Sequence, residues 1–235
     1  MEEYSVRLET IINMVSKGLS VCDVGCDHGY VSIALVKRGI SPRALAMDIN
    51  KGPLMKAKQN IIDNNLEDKI EVRLSNGLVN YHMGDAKALV IAGMGGPLIG
   101  EILSYNWDYS YDFQEMILSP QSKIPEFREF LYENDFCIED EEIVYEDGKY
   151  YFIMKVVRNE DKRGGLTEAE LLIGPRILEK RQPLMKQYVE FLINTDQSIL
   201  DGLQKIEKEE VTELIKQKII LLEHEMGVLR SILVQ

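Results

Sequence analysis

The 235-residue chain predicts an α/β protein: a mainly parallel, doubly wound sheet followed by a helical tail. Three observations predict it. Apolar runs of strand length alternate with amphipathic stretches of helix length through the first half of the chain. Two strand-like runs then meet across Glu146-Asp147-Gly148, a hairpin with Asp-Gly in its turn. Behind Arg158 the strand pattern stops and helical spacing takes over.

The elements follow in order. SVRLETIINMV (5–15) has the spacing of a short amphipathic helix, LSVCDV (19–24) reads as a strand, and Tyr30 to Arg38 as a helix. RALAMD (43–48) is a strand. GPLMKAKQNIIDNN (52–65) is a helix with Pro53 near its start, where a missing N–H costs little. KIEVRL (69–74) alternates like a strand, and KALVIAG (87–93) reads as a buried one, followed by a helix that Pro97 starts. EMILSP (115–120) is a strand and IPEFREFLYEND (124–135) a helix. FCIEDEEIVY and KYYFIMKVV form the hairpin, which adds an antiparallel end to the sheet. Seven strands closed by a hairpin are the outline of a class I, Rossmann-like methyltransferase, although other doubly wound folds share the pattern.

The charged, Gly-rich stretch NEDKRGGLTE is a plausible linker, so the domains are expected at 1–160 and 161–235. In the second, Leu184, Tyr188, Leu192, Thr195, Ile199, Leu203 and Ile206 recur every three or four residues. Val211, Leu214, Leu222, Met226, Leu229 and Leu233 do likewise. Two such stripes joined by a polar turn near Glu207–Glu210 predict an antiparallel helical hairpin of coiled-coil type, the stripes serving packing rather than a ligand.

Bulk properties narrow the field. With 45% hydrophobic residues the chain can bury one sizeable core and a smaller appendage. No run of about 18 apolar residues exists, so no transmembrane helix is expected. The acidic, polar start MEEYSVRLET is unlike a signal peptide. Three cysteines, an odd number, point to reduced thiols and a cytoplasmic location. The net charge of −12 argues mildly against nucleic acid, because phosphate binding draws on Lys and Arg. Charge is local, however. PRILEKRQPLMK carries Arg176, Lys180, Arg181 and Lys186 with Glu179 as its single acid, and Arg158, Lys162 and Arg163 lie upstream. This is either a solvated helix face or a small basic surface for a polyanion.

The turn DVGCDHGY (23–30) carries the strongest functional signal. In an open α/β sheet the ligand sits beyond the carboxyl ends of the strands at the switch point, which is where the first strand ends. Gly25 and Gly29 permit backbone angles closed to other residues and let a ligand approach the main chain. A dinucleotide fingerprint would read GxGxxG, but here Asp27 replaces the middle glycine. A carboxylate there repels a pyrophosphate and favours a cation. S-adenosylmethionine, with a sulfonium, an ammonium and no phosphate, fits that charge; the plainer alternative is an Asp27 that caps the next helix.

Asp48 ends the second strand, where an acid can accept hydrogen bonds from ribose hydroxyls. Asn76 and Gly77 follow the third strand, either as a turn or with the amide accepting from an adenine amino group. The GMGG loop, Gly93-Met94-Gly95-Gly96, follows the fourth strand and offers no side-chain base or nucleophile. Its glycines suit a flat base packed against backbone. Cys22, Cys26 and His28 are too few for a zinc site, so no metal is expected. His28 is either a buried or capping residue or part of the pocket wall.

Taken together, these residues resemble the bacterial tRNA (adenine-22 N1)-methyltransferase family. The motifs are Arg7-Leu8, DVGCDHGY, MDINKGPLMKAKQNI (47–61), SNGL (75–78), IAGMGG (91–96), SPQ (119–121) and the EDGKYY hairpin, and the resemblance extends over the helical tail. It implies a Rossmann-like domain with a C-terminal coiled coil, S-adenosylmethionine as donor and tRNA as acceptor. By position it implies a cofactor pocket of Gly25, Asp27, His28, Gly29, Asp48, Gly77 and Leu78. Cys26, Tyr30, Ile49, Asn76, Gly93, Met94 and Gly95 complete the candidate set. The family usually has Asp where this chain has Asn76, which puts donor affinity in question.

Adenine N1 carries a lone pair and can attack a methyl group directly, so the work left to the protein is alignment and desolvation. Positive charge moves onto the ring, and a carboxylate near it would stabilise that charge. Asp27 is the candidate catalytic group, with His28 and Tyr30 as orienting or stacking residues. The rival readings are a methyltransferase for a protein or small molecule, a non-catalytic scaffold that binds cofactor or tRNA, and a nucleotide-dependent oxidoreductase, which Asp27 disfavours.

Overall fold

The computed structural model describes residues 4–159, 165–206 and 212–234. Two compact units divide at Gly165–Leu166. The first holds a seven-stranded sheet in the order β3-β2-β1-β4-β5-β7-β6. Its strands are β1 Val21–Val24, β2 Ala44–Asp48, β3 Ile70–Leu74, β4 Ala88–Met94, β5 Glu115–Pro120, β6 Phe136–Glu146 and β7 Lys149–Arg158. The first five are parallel, and β7 runs antiparallel to both β5 and β6. The hairpin turns on Asp147 (φ 49°) and Gly148 (φ 77°), two left-handed residues in a row, as the Asp-Gly pair predicts.

β1 is the hinge of the topology. Val21 pairs with Ala44 on one side and with Ala88 on the other, so chain order reverses across β1 and β4. All four β1 residues are buried, which explains the unbroken apolar reading of that run. Helices α1 (Val6–Met14), α2 (Tyr30–Lys37) and α3 (Lys51–Asp63) supply the packing. Ile11, Ile12, Val31 and Leu35 join Val21, Val90, Ile117 and Ile153 in one core. Ile33, Ala57 and Ile61 join Ala44, Ala46 and Ile70 in a second. Helix α4 (Gly96–Ser104) packs against α6 (Ile124–Glu133) and on β4 and β5.

Three details were not anticipated. A short helix α5, Trp107–Ser110, lies between α4 and β5, started by the Asn106 side chain accepting from the Asp108 N–H. Arg128 and Glu141, both fully buried, form an ion pair at 2.7 Å, with the Arg128 guanidinium 4.9 Å above the Phe152 ring. Asp23 and Glu115 are buried acids on interior strands. Lys155 meets Glu115 at 2.9 Å, and the Ser16 N–H donates to it at 2.6 Å.

The second unit is helical: α7 Glu168–Ile173, α8 Pro175–Lys180, α9 Pro183–Leu203 and α10 Glu213–Val234. The Thr167–Glu170 capping box starts α7. Helices α9 and α10 pack on each other, but the seam differs from the predicted stripes. On α9 the buried positions are Val189, Asp196 and Leu200, not Thr195 and Ile199. On α10 they are Leu222, Met226, Leu229 and Ile232, while Leu214 and Leu233 lie outside. Apolar neighbours at 199/200 and 232/233 satisfy the helical period equally, so the partner helix decides which is covered. Glu207–Glu210, Val211, Lys162 and Arg163 lie outside the described residues. Among those described, Arg176 pairs with Glu179 at 2.6 Å and Lys186 with Glu190 at 3.9 Å, so the basic strip is partly neutralised on the spot.

Candidate active site

The carboxyl ends of β1, β2 and β4 lie side by side, and the predicted residues gather there. β1 ends at Val24, and the Gly25 and Cys26 N–H groups both donate to the Met47 carbonyl, at 2.8 and 3.0 Å. This ties the turn to β2. Gly25 has φ +77°, and an added Cβ would collide with the Met94 terminal methyl, so the turn and the GMGG loop touch at that point. Asp27 is left-handed (φ 49°), a conformation that Asp tolerates better than most residues.

Asp27 does not cap the helix. α2 begins at Tyr30 with Gly29 at the capping position and no side-chain cap. The Asp27 N–H instead donates to Asp48 Oδ2 at 3.3 Å, while Asp48 Oδ1 accepts from the Asn50 N–H at 2.8 Å. Asp48 therefore links the ends of β1 and β2. Each of its oxygens keeps lone-pair capacity for a hydroxyl donor. The Asp27 side chain is 69% exposed, with Oδ1 3.6 Å from His28 Nε2. The His28 ring stacks on Tyr30 at 5.4 Å between centroids, nearly parallel, and Tyr30 is half exposed. The pair presents a flat aromatic surface at the mouth of the turn.

Other predicted residues hold the frame. Gly29 lies against Ala57 of α3, and Gly77 (φ +56°) against Ile102 of α4. Leu78 is buried in the core and can offer a ligand only its backbone. Cys26 is buried too, and burial with Asp23 and Asp48 nearby pushes its thiol far up, so it is no nucleophile. The Cys22 thiol packs against Met47 Sδ at 3.3 Å inside the sheet. Asn76 is exposed in its turn, its carbonyl accepting from the Val79 N–H at 3.2 Å. Ile49 is an apolar side chain left 58% exposed directly after Asp48.

Beneath the turn, Asp23 accepts from Ser32 Oγ at 2.8 Å. Burial pushes its carboxyl up to about 6, the Ser32 hydrogen bonds pull it back, and Asp48 nearby adds to the rise. On the other side of the switch point, β4 carries a register irregularity between Ala92 and Met94. The loop after β5 is laced to it: the Gln121 N–H donates to the Met94 carbonyl at 2.9 Å and the Gly96 N–H to the Ser122 carbonyl at 3.0 Å. Sequence reasoning singled out SPQ but gave it no role, because its contact with the GMGG loop is tertiary.

The residues suit S-adenosylmethionine. Among the candidate residues Asp27 and Asp48 are acidic and none is Lys or Arg, which favours a cation over a pyrophosphate, and Gly25 leaves its backbone bare. A sheet of this order with such a turn at its switch point defines a Rossmann-like, class I methyltransferase. Residues 4–154 match the family model described as Methyltransferase domain. The tRNA (adenine(22)-N(1))-methyltransferase of Bacillus subtilis is 33% identical over 233 residues, 97% of this chain and 96% of that protein. The crystal structure of the B. subtilis tRNA methyltransferase TrmK superposes with a TM-score of 0.85 at 30% identity, covering 98% of each chain. A Streptococcus pneumoniae protein solved in complex with S-adenosyl-L-methionine gives 0.78 at 31% identity, covering 95% of this chain and all of that one. The chain belongs to the tRNA (adenine(22)-N(1))-methyltransferase family.

Proposed function

We propose that this protein transfers the methyl group of S-adenosylmethionine to N1 of the adenine at position 22 of tRNA. The observation that carries the reading is the end-to-end likeness to the Bacillus enzyme, which spans both units and includes the whole site. When bound, S-adenosylmethionine supplies an electrophilic methyl on a sulfonium, and the N1 lone pair forms the new bond as the carbon–sulfur bond breaks. The rest is done by the chain. Asp48 accepts from the ribose hydroxyls. Ile49 and the Asn76–Leu78 turn would hold the donor's adenine, and the bare backbone at Gly25 would admit its amino-acid end. Gly93, Met94 and Gly95 let the target base lie against main chain.

Asp27 stabilises the positive charge that arrives on the target ring, and its exposed carboxylate can take the proton that the product sheds. The His28–Tyr30 stack orients the base, which must leave its place in the folded tRNA to reach the site. The first unit is the catalytic domain and the helical unit a coiled-coil element that helps hold the tRNA. No helix among the described residues is long and apolar enough to cross a membrane, and a tRNA acceptor puts the reaction in the cytoplasm.

The test is a transfer assay with labelled S-adenosylmethionine and two transcripts, one with adenine at position 22 and its twin with guanine there. Label on the first alone is the expected result. Label on both moves the site, and label on neither, with the donor shown to bind, overturns the reading in favour of another acceptor or a scaffold.

A further inference from the structure

The loop after β5 passes over the GMGG loop and is fixed to it from both sides. The Gln121 N–H donates to the Met94 carbonyl at 2.9 Å, and the next residue, Ser122, accepts from the Gly96 N–H at 3.0 Å. The backbone at Gln121 is thus held in place. Its side chain is exposed and has no hydrogen-bond partner among the described residues. The amide nitrogen lies 3.8 Å from where a side chain on Gly93 would begin. A long amide with a pinned backbone therefore stands beside the backbone slot where the target base is expected, hydrogen-bonded to none of the described residues.

Resting on the proposed adenine reaction, we infer that Gln121 is a specificity-determining residue that reads the target adenine on its N6/N7 edge. A carboxamide matches that edge with two hydrogen bonds: its oxygen accepts from the exocyclic N6 amine and its nitrogen donates to N7. This mode leaves N1 uncovered, as methylation there requires. Guanine offers two acceptors, O6 and N7, on the same edge and strands the amide oxygen. The bond from N6 also strengthens as the ring becomes positive, so Gln121 contributes to turnover as well as to selection. Gly93, with only the Gln121 amide near its missing side chain, provides the space but not the selectivity, since backbone packing alone accepts any flat base.

The experiment compares wild type and Gln121→Ala on two tRNA transcripts, one with adenine and one with 7-deazaadenine at position 22, measuring kcat/KM and donor affinity. The deaza base lacks the N7 acceptor. Wild type is expected to lose about tenfold in kcat/KM on the deaza transcript. Gln121→Ala is expected to lose about tenfold or more on adenine, to show no further loss on 7-deazaadenine, and to bind donor as wild type does. Wild-type activity in the variant, an undiminished deaza penalty, or a donor affinity that falls as far as turnover would each overturn the assignment. No transfer by wild type to the adenine transcript would overturn the adenine reading itself, and this inference with it.

Discussion

Asp27 stands where a dinucleotide-binding turn carries glycine, and the fold keeps its carboxylate in solvent while using its N–H to fasten Asp48. The two functions separate on mutation. Asp27→Ala keeps the N–H that fastens Asp48, so donor affinity should fall by less than the rate does, while single-turnover methylation falls by tenfold or more, on the order of 1.4 kcal/mol. Equal losses in calorimetric donor binding and in rate would sink the electrostatic role. Asp23 makes the second prediction. Its folded value of about 6 lies above the ordinary 3.8, so the folded chain holds that proton more tightly than the unfolded one. Stability from this group is full below about pH 4 and is lost as pH rises through 6, a penalty of about 3 kcal/mol at neutral pH. Asp23→Asn should flatten the melting-temperature profile between about pH 4 and pH 7, whereas an unchanged slope would show that the burial does not govern its titration.

At the scale of elements, the two helices of the hairpin meet along a seam that contains an acid. Asp196 is buried between Val189 and Leu200, its Oδ2 finds no hydrogen-bond partner among the described residues, and burial pushes its carboxyl up against the pull of Lys218. A polar residue in such a seam fixes register at a cost in stability. Asp196→Leu should therefore stabilise α9–α10 by about 1–3 kcal/mol, seen as a higher denaturant midpoint for the second unit. A lower midpoint would mean that the acid holds a bond the seam depends on. The β5–α6 loop makes the complementary point: its lacing to GMGG is backbone-to-backbone, so position 121 can vary in chemistry without losing its place.

At the scale of the whole molecule, an acidic protein is asked to hold a polyanion. The chain carries 27 Lys and Arg against 39 Asp and Glu. Few phosphates can be neutralised at once, and Arg176 and Lys186 already have acidic partners. Binding of tRNA should weaken with salt along a shallow slope. Between about 50 and 200 mM salt, KM for tRNA should rise by roughly tenfold or less while donor affinity holds. A KM that ignores salt would show that backbone phosphates carry none of the recognition.

The sequence by itself determined the order of the seven strands, the helices α1 to α4 and α6 among them, and the position and charge of the Asp23–Tyr30 turn. Period, turn chemistry and local charge are written in neighbouring residues, and DVGCDHGY, Asp48 and GMGG could be placed from them alone. It also fixed the hairpin, because Asp147-Gly148 supplies two left-handed residues where a two-residue turn needs them. Tertiary structure decided what depends on distant partners. Whether Asp27 caps a helix or fastens Asp48 rests on where β2 ends. Leu78 turned inward and Ile49 outward, though both are apolar. The seam chose Leu200 and Ile232 over their equally apolar neighbours. Gln121 came to stand beside Gly93 only when β5 lay beside β4, since an amide in a loop has no chemistry to declare until the backbone it stands over is known.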